Sequence, residues 1–118
     1  MTPERLHKVI KQFIRDEGGT NLYRLGRCSE FAVALKKFVG SGTITKHGTW
    51  HTVLYWKNIY WDANGQHTLN NLKSTNYISA AENPHPATKE EIDHINSLLN
   101  KYFVDHILAG LRKASREV

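Results

Sequence analysis

The stretch TWHTVLYWKNIYWD, Thr49 to Asp62, decides how this chain folds. It is dense in Trp, Tyr, Val, Ile and Thr, residues that suit a pleated, half-buried strand. Its most turn-like pair, Lys57-Asn58, stands in the middle, so the composition predicts a β-hairpin. If those two residues form the turn, Trp56 faces Ile59 and Val53 faces Asp62. Cross-strand partners share a face, and so do residues two apart on one strand. His51, Val53 and Asp62 then project from one side, with His51 and Asp62 diagonal neighbours in reach of a hydrogen bond. A three-residue turn would separate them. Trp50, Trp56 and Trp61 fall on the opposite face and read as core, or as a partner-binding patch if one edge is exposed.

Working outward, ANGQH closes the far side of the hairpin, with Asn64-Gly65 as a second turn. A third strand is expected at Thr75 to Ala81. Before the hairpin, Cys28, Phe31, Ala32, Leu35, Phe38 and Val39 recur at helical spacing, which predicts a helix from Arg27 to Val39. Gly40 to Thr43 breaks it. At the N-terminus, Thr2-Pro3-Glu4 has the cap, the first-turn proline and the first-turn acid of a helix start. Leu6, Val9, Ile10, Phe13 and Ile14 give that helix its apolar face, and Gly18-Gly19 ends it. Thr88 and Glu91 form a capping box. A long last helix follows, its buried stripe made by Ile92, Ile95, Leu99, Tyr102, Phe103, His106 and Leu111. The order predicts an α+β domain: an antiparallel sheet against a Cys-bearing helix, flanked by N-terminal and long C-terminal helices.

The bulk numbers bound the function. A chain of 118 residues, 40% hydrophobic and 23% charged, reads as one globular domain spanning 1–118. No apolar run approaches the ~20 residues of a membrane span, so no membrane partner is expected. A lone cysteine and no secretory leader point to the cytoplasm. The net charge of +5 permits a nucleic-acid partner. The basic residues are scattered, however, without a dense run among aromatics, and a solvated basic surface accounts for them.

Cys28 is the only cysteine. A single Cys on a helix face is as a rule small apolar filler. A thiol in the first turn of a helix, beside a histidine, is instead activated as its thiolate. Seven histidines compete for that place. His7 and His94 read as surface residues on helices, His106 shares an apolar stripe, and His47, His67 and His85 read as loop residues. His51 alone stands on a strand with an acid correctly placed on the next. Cys28, His51 and Asp62 therefore form the candidate catalytic set: nucleophile, base and orienting carboxylate. The Cys28 N–H and Asn21 are candidate oxyanion donors. Cys28, His51, Asp62 and His67 are all acceptable zinc ligand types, but they lack any paired metal-ligand spacing. No metal and no cofactor are expected.

GRCSEFAVAL (Gly26–Leu35) and GTWHTVLYWKNIYWDANG (Gly48–Gly65) together resemble the core of the papain-like and transglutaminase-like cysteine enzymes. In that superfamily a Cys opens a helix, a His begins a following strand, and an Asp or Asn lies on the next. The order Cys28, His51, Asp62 is similar to the transglutaminase-like variant, and the likeness covers about residues 20 to 66. Only 22 residues separate Cys28 from His51, as in a minimal core. The resemblance implies a cysteine hydrolase working through a Cys-His-Asp triad and a thioester on a protein or peptide amide: a thiol protease, amidase or glutamine deamidase. The other reading is a small basic, non-catalytic protein that binds or inhibits a protein or nucleic-acid partner.

Overall fold

The computed structural model describes residues 1–20, 22–23, 26–71 and 83–118. Helix α1, Pro3–Glu17, starts where Thr2 Oγ1 accepts a hydrogen bond from the Arg5 N–H at 3.2 Å. It stops at Gly18, whose φ of 82° lets its N–H return to the Arg15 and Ile14 carbonyls. Helix α2, Cys28–Val39, ends in the same way at Gly40. Strands β1 (Thr43–His47), β2 (His51–Trp56), β3 (Ile59–Asp62) and β4 (Gly65–His67) follow, then β5 (His85–Pro86). Helices α3, Lys89–Leu98, and α4, Lys101–Glu117, complete the described elements. The fold is α+β.

The sheet order is β4-β3-β2-β1-β5, and neighbouring described strands pair antiparallel. Lys57 and Asn58 form the two-residue turn, both left-handed with φ of 51° and 62°, which is a type I′ geometry. The register is then Trp56↔Ile59, Tyr55↔Tyr60 and Leu54↔Trp61. Leu54, Trp56, Trp61 and Ile44 turn one sheet face into the core, where Phe31 and Leu35 of α2 and Leu6, Ile10 and Phe13 of α1 join them. Helix α2 lies between this face and α4. Helices α1 and α4 cross closely at Gly110, where a Cβ would stand 2.4 Å from the Phe13 ring.

Several expectations need correction. The long last helix is two helices. Asn100 caps α4 by accepting the Tyr102 N–H at 2.9 Å, and this breaks the chain after Leu98. The buried stripe of α4 is accordingly Val104, Ile107, Leu111 and Ala114, while Tyr102 is exposed and His106 turns outward to Glu17 at 2.6 Å. His47, His67 and His85 lie on strands β1, β4 and β5 and not in loops. The second turn pairs Asp62 with Gly65, so its central residues are Ala63 and Asn64. Trp56 and Trp61 are core, but Trp50 is 86% exposed because it sits on the β1–β2 turn, before pairing begins. His7 packs against β4 instead of facing water freely, its Nδ1 accepting the Gln66 N–H at 3.3 Å. The strand expected at Thr75 to Ala81 lies outside the described residues.

Candidate active site

Cys28 is the first residue of α2, and His51 is the first residue of β2. The Arg27 side chain does not cap α2, so the first-turn N–H groups lack that partner. Its guanidinium goes instead to Glu30, at 3.6 Å, and over the Phe103 ring, at 4.1 Å. The partly exposed Cys28 thiol meets the start of β2 directly. Sγ is 3.4 Å from the Trp50 carbonyl, to which the protonated thiol donates. The His51 side chain and the Thr52 N–H are the neighbours that act on the thiol's ionisation. A chain of hydroxyls underlies this contact. Ser29 Oγ donates to Thr52 Oγ1 at 3.0 Å, and the buried Lys46 ammonium donates to the same oxygen at 3.1 Å.

The parity of the hairpin brings His51 to Asp62. His51 Nε2 is 3.3 Å from Asp62 Oδ2, and both side chains are buried. Because Nε2–H is engaged with the carboxylate, Nδ1 is the ring nitrogen left for the thiol. The other carboxylate oxygen, Oδ1, accepts His67 Nε2–H at 2.7 Å and the Asn64 N–H at 2.8 Å. Of the four residues weighed as zinc ligands, the two histidines therefore point their Nε2 atoms at Asp62. Among the described residues no group of three or more His, Cys, Asp or Glu is arranged to hold a metal ion.

Each group's ionisation follows from these contacts. Burial pushes the Cys28 thiol up, but the His51 hydrogen bond, the Thr52 N–H and the charges of His51 and Lys46 outweigh it and bring it below its ordinary value. Burial pushes His51 down, and its hydrogen bonds to Asp62 and Cys28 carry it up to about 9. Burial pushes Asp62 up, and the hydrogen bonds from His51, His67 and Asn64 hold it well below the usual carboxylate range. The arrangement favours a thiolate–imidazolium pair backed by a carboxylate.

The three candidate residues thus lie together, and the Cys28 N–H stands at the helix start, while Asn21 lies outside the described residues. Two contributors stand outside the set read from the sequence: Lys46, and His67, which the sequence offers only as a loop residue and a zinc-ligand type. His67 becomes legible once Ala63-Asn64 is taken as a two-residue turn, since Tyr60↔His67 then puts it on the face of Asp62. Lys46 becomes legible only when Thr43–His47 is seen as a strand pairing Lys46 with Thr52. Among the described residues no helix is long and apolar enough to cross a membrane. No protein-family model matches the chain, and no curated protein and no solved structure matches it either.

Proposed function

We propose that this protein is a cysteine-dependent enzyme of amide acyl transfer, a minimal papain-like or transglutaminase-like domain. One observation carries the reading: a helix-start thiol paired with a histidine whose far nitrogen is held by a buried aspartate. The ordering of the Cys helix, the His strand and the Asp strand supports the same conclusion. In the forward step the Cys28 thiolate attacks the amide carbon, a C–S bond forms, and the carbonyl electron pair moves to oxygen. The Cys28 N–H stabilises that oxyanion. The tetrahedral carbon collapses to a thioester as the C–N bond breaks, and the His51 imidazolium gives its proton to the departing nitrogen. Water then attacks the thioester, His51 takes its proton, and the acid leaves with the thiolate restored.

The outcome proposed is hydrolysis, as peptide cleavage or glutamine deamidation, with water as the acceptor. The test is the rate of Cys28 alkylation by iodoacetamide against pH, read by intact mass, for wild type and His51→Ala. The expected result is fast alkylation well below the free-thiol pKa of ~8.5 in wild type, lost in the variant. An amide-hydrolysis screen follows, in which Cys28→Ala and His51→Ala each lose on the order of 10³-fold or more in turnover. A thiol that stays unreactive until the protein unfolds, and a partner affinity that survives Cys28→Ala, would replace this reading with that of a binding protein.

A further inference from the structure

His67 makes the shorter of the two histidine hydrogen bonds at the Asp62 carboxylate, 2.7 Å to Oδ1 against 3.3 Å from His51 to Oδ2. Its side chain is 7% exposed, so the bond is shielded from water. The strand that carries it is also tied from outside. Helix α1 presents His7 Nδ1 to the Gln66 N–H at 3.3 Å, and Gly65 lies so close to that ring that a Cβ there would stand 2.5 Å from Nδ1. Asn64 N–H adds a second bond to Oδ1. A carboxylate is planar, so fixing one oxygen by two donors fixes where the other points.

From this geometry, and resting on the acyl-transfer reading above, we propose that His67 is a positioning residue of the site: it locks the Asp62 carboxylate so that Oδ2 is presented to His51. The set is then four residues long, His67–Asp62–His51–Cys28, with only the last two meeting the substrate. His67 could have competed with His51 for a single oxygen; the two imidazoles instead use different oxygens, which is the arrangement of a brace. The other groups facing His51 are Cys28 and Asp62 directly, His47 opposite it in the β1–β2 register, and Lys46 through Thr52. At Asp62 Oδ1 the structure gives His67 Nε2–H and the Asn64 N–H.

The experiment is an NMR titration of the His51 ring in wild type, His67→Leu, His67→Gln and Cys28→Ala. Loss of the brace weakens the His51–Asp62 hydrogen bond, so His67→Leu lowers the His51 midpoint by about one pH unit. Gln supplies an N–H to Asp62, so His67→Gln restores most of that change. An unmoved midpoint in His67→Leu overturns the proposal, and so does a raised one, which would make His67 a competitor for the carboxylate. A merely structural role would not be rescued selectively by Gln at equal melting temperature. Where His67→Leu does not fold, the ring nitrogen shifts of wild type decide: the proposal requires the His67 proton on Nε2, and a proton held only on Nδ1 overturns it. Cys28→Ala separates the two readings. A His51 midpoint indifferent to Cys28 removes the Cys–His pair, whatever His67 does, whereas a midpoint sensitive to Cys28 but not to His67 removes only the brace.

Discussion

Asp62 is a carboxylate with a donor on each side, and its chemistry is set by what those donors need. An aspartate that orients a histidine also stabilises the cation the histidine becomes. With the Cys28 thiol lowered and His51 raised to about 9, the shifts favour a thiolate–imidazolium pair below about pH 9. On the proposed acyl-transfer reading, the acid limb of kcat/KM is expected to report Cys28 and the alkaline limb His51. Asp62→Asn keeps the shape but removes the charge. The expected result is an alkaline limb moved down by about one pH unit or more, with a loss of turnover smaller than that of Cys28→Ala. A pH–rate profile for the two variants checks it; a limb that stays in place would detach Asp62 from the chemistry. Lys46 works at the same scale, as a buried ammonium one hydroxyl away from the backbone that receives the sulfur.

At the scale of elements, everything depends on the number of residues in one turn. Two left-handed residues at Lys57-Asn58 put His51 and Asp62 on one face, and one added residue would put them on opposite faces. Inserting a glycine between Lys57 and Asn58 is expected to slow Cys28 alkylation near neutral pH to the rate of an ordinary thiol. Lys57→Asn, which keeps the count and suits φ > 0 better, leaves that rate unchanged. Equal rates in the two would refute the parity argument. The same reasoning explains what the sequence disclosed and what it hid. The hairpin was legible because β-branched and aromatic residues flank a clear turn pair, and the His51–Asp62 pairing followed from strand geometry alone. β1 was hidden because Lys46 and His47 look polar, yet both are buried. β5 spans only His85–Pro86, too short to leave a pattern. The break before α4 was hidden because Leu98 and Leu99 continue the apolar spacing, while Asn100 is a helix residue or a cap depending on a single hydrogen bond.

Across the whole molecule, the buried charges tie stability to pH on two sides. Asp62 is held below its unfolded value near 3.8, so its contribution is present above that value and fades as pH falls toward its folded pKa. His51 is held above 6.5, so its contribution is complete below 6.5 and is lost as pH rises through about 9. The lowered Cys28 thiol has the opposite sign: over the same range the folded chain gives up the thiol proton that the unfolded chain keeps, which offsets the His51 loss, so denaturant midpoints are expected to fall on the acid side and to stay nearly level from about pH 6.5 to 9. In Cys28→Ala that offset is gone, so midpoints should decline between about pH 6.5 and 9; midpoints that stay level would place the raised histidine elsewhere. The three tryptophans supply a different kind of readout. Trp56 and Trp61 are sealed in the core, while Trp50 stands in water with its own carbonyl 3.4 Å from the Cys28 sulfur. Among the three tryptophans, red-shifted, iodide-quenchable emission is therefore expected from Trp50, and a loss of that quenching would give an optical measure of occupancy beside Cys28 without any added label.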